Sequence, residues 1–464
     1  MKYTDFIVGP QVGVAEMAQA KERRVEVQQQ LLSTFQTTLI SFTLNIMGPT
    51  KVFPLAEKTF EEGKTLIVNQ CTAYGLPVIH EQELRATTGN ECFFVVKAPA
   101  KKVKAALCAL EQDCSLGRLF DMDVLDVDGQ KQSRLTLGIP SRTCLLCNNN
   151  AFICGRSRSH SIELLLERVC QMMWDYFAYQ HATKLANVAV RALLREVLAT
   201  PKPGLVDRQN TGAHADMDIH TFERSALALM PYFVQFALYG IDHCGQDGQG
   251  LLQGLRPLGI KAELAMRKAT QGVNTHKGAI FSMGLLTCAL GVLYGKQLPY
   301  SQGQLRLELK ALSASLEADF QNVTMETATS HGERLYAQHG LRGVRGEAID
   351  GFPHLFDLAY PRFYALRNQG MTLNDAGIIT LIDIIANVED SNIVARSDYA
   401  TMQKIAMRLR QDCQIPLEEQ DYLAYIHSLD QQFTAKNISA GGSADLLAMT
   451  YFLYFLEKEV YPCV

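Results

Sequence analysis

The sequence has no excess of basic residues: 44 lysines and arginines stand against 48 aspartates and glutamates, and the formal net charge is −4. This balance excludes the general positive field of nucleic-acid-binding proteins, so any polyanionic ligand must be bound by local groups. Residues 1–21 contain no apolar run of the secretory type. We therefore expect a cytoplasmic protein that binds no nucleic acid, with its 12 cysteines reduced.

Low-complexity linkers and fixed-period repeats are also lacking. The chain has 464 residues, more than one ordinary core accommodates, which predicts two or three domains. Residues 278–295 contain no charged side chain and approach the length of a membrane span. Ser282, Thr287 and several glycines lower the hydropathy of this run, and a polar motif leads directly into it. We expect a buried helix and no membrane insertion.

The first part of the chain combines strand and helix patterns. Asp128-Gly129 predicts a turn after the last strand-like run. The predicted strands cover residues 38–45, 91–96 and 119–127, and the predicted helices cover residues 16–35 and 98–112. This part is predicted to be an α+β domain over residues 1–180.

From residue 161 onward, apolar residues recur at helical spacing and strand patterns are rare. The predicted helices cover residues 161–199, 218–239, 258–271, 278–294, 302–319, 374–387, 401–411 and 443–460. Residues 181–464 are therefore predicted to form a larger all-α domain.

Two aspartates in the third predicted strand are the main candidate site of the first domain. Asp121 and Asp123 project from one face of an extended strand. Carboxylates so placed can share Mg²⁺ and stabilise charge as pyrophosphate leaves, although a solvated strand face has the same pattern. Arg118 is a candidate catalytic group because a guanidinium binds phosphate bidentately. Asn45 and Lys51, which flank a Gly-Pro turn, are candidate phosphate ligands.

A cysteine-rich segment follows this strand. Cys144, Cys147, Cys154 and His160 have a spacing that suits a structural zinc site. Their two ligand pairs lie closer together than in typical zinc fingers, and reduced, partly buried thiols explain the same residues. We expect thiols without zinc.

Residues 15–175 resemble the apo-citrate lyase phosphoribosyl-dephospho-CoA transferase family. The resemblance is carried by Thr-Leu-Ile-Ser-Phe-Thr-Leu-Asn at residues 38–45, Gly-Pro at 48–49, Gly-Arg-Leu-Phe-Asp-Met-Asp-Val at 117–124, and the cysteine-rich segment at 142–160. It implies that a triphosphoribosyl-dephospho-CoA group is moved onto a serine of the acyl carrier (gamma) subunit of citrate lyase, with release of pyrophosphate.

Five short polar segments lie between the apolar runs of the second half. Each combines glycine with a carboxylate, a histidine or a basic residue, the groups that can hold a metal-bound polyphosphate. Together they predict a nucleotide-dependent enzyme. The candidate phosphate ligands are Lys202, His276, Lys277, Arg345, Gly441, Gly442 and Ser443; the candidate Mg²⁺ ligands are Asp207, Asp216, Asp218, Asp390 and Asp445; and the candidate catalytic groups are His214 and Glu347.

Two of these segments have alternative interpretations. Asp216 and Asp218 can share a metal ion only if residues 212–218 form a loop, because a helix would splay them by about 200°. Otherwise Asp218 only caps the next helix. Gly441 and Gly442 precede Ser443, a good N-cap residue, so the helix that follows offers an anion site at its N-terminus. The alternative is that glycine and serine before this helix form only a cap.

The second half, residues 180–464, resembles the triphosphoribosyl-dephospho-CoA synthase family. The matching motifs are Thr-Pro-Lys-Pro-Gly-Leu-Val-Asp at residues 200–207, Gly-Ala-His-Ala-Asp-Met-Asp at 212–218, Thr-His-Lys-Gly at 275–278, Arg-Gly-Glu at 345–347 with Gly-Phe-Pro at 351–353, and Gly-Gly-Ser-Ala-Asp at 441–445. The resemblance implies that the ribose of ATP is joined to 3′-dephospho-CoA with release of adenine. The chain departs from the family pattern after Asn392 and at Ala440, where proline is usual.

Together the resemblances predict a fused bifunctional transferase that makes and attaches the prosthetic group of citrate lyase. Its substrates are expected to be ATP and 3′-dephospho-CoA, with Mg²⁺ as cofactor. One alternative is the equivalent assembly for malonate decarboxylase. Another alternative, from a different functional class, is a non-catalytic adaptor that binds a nucleotide or zinc.

Overall fold

The computed structural model describes residues 3–412 and 422–462. The chain divides into two compact units, Met1–Ala178 and Tyr179–Val464. The first contains a four-stranded sheet with helices, and the described residues of the second form helices and loops. The predicted fold class, an α+β domain followed by a larger all-α domain, is confirmed.

The first unit is an antiparallel sheet with the strand order β2-β3-β1-β4. The central strands β3 and β1 and the edge strand β4 match the three predicted strands. The other edge strand, β2, and the helix α2 were not predicted. The elements are α1 (Val14–Phe35), β1 (Thr38–Leu44), α2 (Pro54–Ala73), β2 (Val78–Leu84), β3 (Glu91–Val96), α3 (Ala100–Asp113), β4 (Phe120–Leu125), α4 (Ala151–Ser157) and the start of α5 (Ile162–Leu198), with short 3₁₀ turns at Tyr3–Phe6, Gly117–Leu119 and Leu135–Leu137.

The two faces of this sheet differ in polarity. One face is an aromatic core in which Phe42 stacks on Phe60 of α2 at 5.2 Å and meets the edge of Phe120 at 5.4 Å. The other face is covered at one end by α1, whose Leu32 packs in one cluster with Leu39 of β1. Further along, that face becomes polar, which leaves room for a site between the sheet and solvent.

In the described residues of the second unit, twelve further α-helices follow. The seven helices predicted after residue 200 are all present, although with shifted ends. The helices are α6 (Ile219–Asp242), α7 (Gly248–Ala269), α8 (Lys277–Gly295), α9 (Gln302–Ser313), α10 (His331–His339), α11 (Gly343–Ile349), α12 (Tyr360–Asn368), α13 (Leu373–Asn387), α14 (Ser391–Arg396), α15 (Tyr399–Asp412), α16 (Tyr422–Ala435) and α17 (Gly441–Glu459), with a 3₁₀ helix at Ala314–Phe320 and a π-helical turn at His354–Ala359.

Helix α8 lies in the core of the second unit. Within the part of the chain that the structure describes, it is the one helix long and apolar enough to cross a membrane. However, 83% of its most apolar stretch is buried inside the protein. Helices α6 and α8 pack closely because each has a glycine at their contact. A Cβ atom at Gly291 of α8 would lie 2.1 Å from the Ala237 carbonyl oxygen, and a Cβ atom at Gly240 of α6 would lie 2.1 Å from the Cys288 carbonyl oxygen. The expected buried helix is confirmed.

This contact predicts the effect of a single methyl group. Gly291→Ala should lower the free energy of unfolding by about 1–3 kcal/mol, because the backbones of α6 and α8 must move apart. Gly259→Ala in α7 is the matched control, since no atom lies within 4 Å of its added Cβ. It should be neutral or stabilise by up to about 1 kcal/mol. Urea unfolding followed by circular dichroism measures both, and equal stabilities would contradict the packing described.

Candidate active sites

Asp121 and Asp123 lie on the same face of β4, as predicted. Both carboxylates are partly exposed, whereas Met122 between them is buried in the aromatic core. Lys131 Nζ lies 2.5 Å from Asp123 Oδ1. The shared face is confirmed, and the role of the pair as Mg²⁺ ligands stays a prediction.

A cavity of about 260 Å³ beside Asp121 brings together several predicted residues. Its lining includes Asn45 and Lys51, and α1 adds Lys21 and Arg24. Lys51 Nζ donates a hydrogen bond to the Ile46 carbonyl oxygen at 2.5 Å, and burial lowers the pKa of Lys51. The lining therefore has three basic side chains against the two carboxylates of Asp121 and Glu57, an excess of positive charge that suits a phosphorylated ligand.

Asp121 also lines a larger cavity, of about 780 Å³, together with Asp123. Its basic side chains are those of Lys104, Lys131, Arg134 and Arg142. The two arginines are held by the buried carboxylate of Glu111, with Arg134 Nη1 at 2.6 Å and Arg142 Nε at 2.5 Å from its oxygens. Lys104 and Arg134 were not predicted as site residues, because only the fold brings them next to β4.

Arg118 does not line either of these cavities. Its guanidinium donates to the carbonyl oxygen of Thr143 and lies 3.4 Å from the Thr143 hydroxyl. Burial and the nearby Arg142 lower the pKa of Arg118. Arg118 therefore holds the segment that carries Arg142, and the structure does not place it against the Asp121 carboxylate.

In the second unit, a cavity of about 700 Å³ collects residues from separate polar segments. Five predicted site residues line it: Lys277, Glu347, Asp390, Gly442 and Asp445. They come from the starts of α8 and α17, from α11, and from the loop before α14. The cavity is thus a charged chamber formed where helices begin.

Asp390 joins two helix N-termini in this cavity. Its Oδ2 accepts hydrogen bonds from the Ser443 backbone N–H at 2.7 Å and the Ser443 hydroxyl at 2.8 Å, and its Oδ1 accepts one from the Asn392 N–H at 2.8 Å. The prediction that Ser443 is the N-cap is wrong, because α17 begins at Gly441 and Ala440 is its cap residue. The anion site at this helix start holds the Asp390 carboxylate. Burial raises the pKa of Asp390.

Asp445 lies against the start of α8. A Cβ atom at Gly278 would come within 2.1 Å of Asp445 Oδ2, so only glycine lets the carboxylate approach this backbone. Burial, together with the carboxylates of Glu196 and Asp390, raises the pKa of Asp445 well above its usual range. A carboxylate in this position is stabilised by a proton or by a bound cation.

Glu347 and His354 form a hydrogen-bonded pair on the cavity wall. His354 Nδ1 lies 2.5 Å from Glu347 Oε1, and this contact raises the pKa of His354. His354 begins the π-helical turn, a feature that often occurs at functional sites. Sequence reasoning missed His354, although it directly follows the Gly-Phe-Pro motif at residues 351–353.

Basic side chains surround the same cavity. Lys277, Arg342 and Arg410 line it, and only Lys277 was predicted. Arg345 instead lines a neighbouring cavity of about 340 Å³, which Lys277 also borders. Arg345 Nη1 lies 3.2 Å from Asp319 Oδ2. Arg345 is therefore an ion-paired group beside the chamber and does not line it.

Two predicted phosphate ligands are buried away from the cavity lining. Lys202 Nζ lies 2.5 Å from Glu196 Oε1 and donates to the Glu196 carbonyl oxygen at 2.9 Å. His276 Nδ1 lies 2.6 Å from the Ser225 hydroxyl, and burial together with Lys202 lowers the pKa of His276 to about 3. His276 is neutral and Lys202 is paired, so both support the fold beneath the cavity in this structure.

Residues 212–218 form a loop, but their carboxylates are separated. Asp218 caps α6 by accepting the Thr221 N–H at 2.8 Å, and Asp216 is exposed, 4.0 Å from His214 Nδ1. Asp207 is buried and accepts backbone N–H groups of its own loop. Within residues 3–412 and 422–462, three or more metal-ligating side chains converge only at the cysteine-rich segment. Asp207, Asp216 and Asp218 do not line the chamber.

His214 is a partly buried structural contact. Its Nε2 lies 2.9 Å from the Ser439 hydroxyl and its Nδ1 lies 3.0 Å from Arg396 Nη2. Burial and the charge of Arg396 lower the pKa of His214. The neutral imidazole links the loop at residues 212–218 to the segment that leads into α17.

Both halves of the chain match known families. A family model described as ATP:dephospho-CoA triphosphoribosyl transferase matches residues 182–463. A model described as apo-citrate lyase phosphoribosyl-dephospho-CoA transferase matches residues 12–176. Protein CitXG of Haemophilus influenzae is 34% identical over 455 residues, which cover 96% of each chain. The chain belongs to the CitXG family.

Other relatives agree with this membership. Protein CitXG of Leuconostoc mesenteroides subsp. cremoris is 33% identical over 472 residues, covering 97% of this chain and 98% of the relative. A 2-(5″-triphosphoribosyl)-3′-dephosphocoenzyme-A synthase of Haemophilus ducreyi is 36% identical over 328 residues, covering 67% of this chain and 99% of the relative. As a CitXG family member, the chain is an enzyme with two transferase domains, which excludes the non-catalytic adaptor.

The Glu347–His354 pair predicts a pH effect. The raised pKa of His354 means that the pair stabilises the fold below the unfolded-state pKa of about 6.5, and that this stability is lost as the pH rises through the folded-state pKa. Glu347→Gln should therefore lower the pKa of His354, measured by NMR titration of its ring. Glu223→Gln, which alters a surface contact of His220, is the control and should leave the His354 titration unchanged. An unaltered His354 titration in Glu347→Gln would contradict the pairing.

Proposed function

We propose that this CitXG family member makes and attaches the prosthetic group of citrate lyase. The second unit, Tyr179–Val464, joins ATP to 3′-dephospho-CoA and releases adenine. The first unit, Met1–Ala178, transfers the product to a serine of the acyl carrier (gamma) subunit and releases pyrophosphate. The observation that carries this proposal is the convergence of predicted residues from separate motifs on one charged chamber.

In the second unit, the bond between the ATP ribose C1′ and adenine breaks, and a ribose hydroxyl of 3′-dephospho-CoA forms the new bond to that carbon. The hydroxyl loses a proton and the departing adenine gains one. Glu347 accepts the proton of the hydroxyl, and His354, hydrogen-bonded to it, donates a proton to adenine. The carboxylates of the chamber stabilise the positive charge that develops on the ribose.

The retained triphosphate is bound at the helix starts. Asp390 and Asp445 fit a Mg²⁺ site, because burial raises the pKa of both carboxylates, the charge of Asp390 raises that of Asp445 further, and a divalent cation relieves this cost. Mg²⁺ bound there supplies charge neutralisation for the triphosphate. Lys277, Arg342 and the first N–H groups of α8 contact the phosphate oxygens.

In the first unit, the carrier serine hydroxyl forms a bond to the phosphorus nearest the ribose, and the bond to pyrophosphate breaks. Asp121, which lines both cavities, accepts the serine proton. Asp121 and Asp123 fit a Mg²⁺ ion on their shared strand face, where it supplies charge neutralisation of the leaving group. Arg142 stabilises the departing pyrophosphate. Arg118 keeps that segment in place through Thr143.

The match of residues 12–176 to an apo-citrate lyase model supports the citrate lyase carrier over that of malonate decarboxylase. The cysteines in the described part of the chain are free thiols, which supports a cytoplasmic location. The match of residues 182–463 to a dephospho-CoA triphosphoribosyl transferase model supports ATP and 3′-dephospho-CoA as substrates.

Substitutions in the two units should separate the two reactions. Asp445→Asn should lower adenine release from ATP and 3′-dephospho-CoA by about 10²-fold or more, because the Mg²⁺ ion that neutralises the triphosphate loses a ligand. Asp121→Asn and Asp123→Asn should abolish labelling of apo-carrier while leaving adenine release intact. Chromatography of adenine and mass spectrometry of the carrier measure the two outcomes.

The matched controls are exposed carboxylates outside the cavities, Asp113→Asn in the first unit and Glu326→Gln in the second, and both should retain both reactions. Loss of adenine release in Asp121→Asn, or full activity in Asp445→Asn, would refute the assignment of the two reactions to the two units.

A further inference from the structure

Cys144, Cys147, Cys154 and His160 form a compact cluster in the first unit. Their sulfur and ring nitrogen atoms all lie within 4.8 Å of one another. Cys147 Sγ is 3.4 Å from Cys154 Sγ, and His160 Nε2 is 3.3 Å from Cys147 Sγ and 3.6 Å from Cys154 Sγ. Residues that are spread over a loop and a helix therefore present four ligand atoms to one point.

These separations match a tetrahedral zinc site. Zn–S bonds of about 2.3 Å and Zn–N bonds of about 2.0–2.1 Å place two sulfur ligands about 3.8 Å apart, and a sulfur and a nitrogen about 3.5 Å apart. The Leu146 N–H also points at Cys144 Sγ, at 3.5 Å. Such an N–H donor stabilises the negative charge of a thiolate ligand. The set is three cysteines and one histidine, a common composition of structural zinc sites.

The surrounding segment has little hydrophobic core. Across residues 126–161, all of which the structure describes, only Cys154 is buried. Phe152 and Ile153 are 67% and 63% exposed. The contacts that hold this segment are mainly polar, such as the ion pairs of Arg134 and Arg142 with the buried Glu111 and the hydrogen bond from Arg142 to the Phe120 carbonyl oxygen. Segments that bury so little apolar surface depend on cross-links or bound metal for a fixed structure.

We propose that Cys144, Cys147, Cys154 and His160 bind one structural zinc ion. Three thiols lose their protons on binding, and Arg156 and Arg158, which closely follow Cys154 in the sequence, add positive charge to this segment. The site does not depend on the proposed reactions.

Zinc at this point fixes one wall of the larger cavity beside Asp121 and Asp123. Arg142 precedes the first ligand by two residues, and Asn150, Phe152 and Ile153 lie between the ligands; all four line that cavity. Because the zinc ligands bracket the wall, loss of the ion is expected to displace it. The consequence is confined to the first unit, since the ligands and the wall both belong to it.

Metal analysis of the full-length chain, purified without chelators, tests the proposal. We expect about one zinc per chain, and after exchange with cobalt(II) the absorption of a tetrahedral thiolate complex. Cys144→Ser and Cys154→Ser should lose the metal. Cys114→Ser, a partly exposed thiol outside the cluster, is the matched control and should retain it. His160→Cys preserves four ligands and should also retain zinc.

Hydrogen exchange provides a second readout that does not depend on activity. Removal of zinc should accelerate exchange across residues 126–161 and leave α8 protected. Carrier labelling should fall and adenine release should not. The proposal is overturned if folded wild-type protein from zinc-supplemented medium contains no zinc, if Cys144→Ser and Cys154→Ser contain as much as wild type, or if Cys147 and Cys154 form a disulfide in metal-free, transfer-active protein.

Discussion

The site of the second unit depends on the burial of one carboxylate at the start of a helix. Asp390 accepts hydrogen bonds from Ser443 and Asn392 and thereby ties the N-termini of α17 and α14 together. The positive ends of these helices offset part of the cost of burying a charge. Asp445, one turn into α17, then reaches the start of α8 beside Gly278. Three helix starts thus face one chamber that is suited to a triphosphate and its cation.

The candidate site of the first unit is built on a strand and not at helix N-termini. Its carboxylates lie on an open strand face, and Asp121 borders both a small basic cavity and a larger open one. A small cavity suits a nucleotide, and an open one admits a serine that belongs to another protein. The buried Glu111 holds Arg134 and Arg142 at the second cavity, so the positive charge there is set by packing and not by flexible surface side chains.

The sequence predicted the buried strands and most of the long helices, with the exception of α2, because their apolar spacing is set by the core. It missed β2, an edge strand whose Glu81 and Glu83 pair with Lys64, since such a strand lacks an apolar pattern. The motifs predicted the chamber, but they did not distinguish the residues that line it from those that are buried or paired elsewhere. Lys202 was predicted to bind phosphate and is instead paired with Glu196, because sequence does not reveal which charges face a buried partner. Arg410 of α15 also lines the chamber, although it belongs to no motif that indicates a site.

The most direct test of the two-step account is the stoichiometry of the complete reaction. The full-length chain is incubated with ATP, 3′-dephospho-CoA and the apo-form of the citrate lyase acyl carrier subunit, and adenine, pyrophosphate and modified carrier are quantified together. The account predicts equal amounts of all three, with the carrier gaining the mass of a phosphoribosyl-dephospho-CoA group. Modified carrier without an equal release of adenine, or adenine release that never leads to modified carrier, would contradict it.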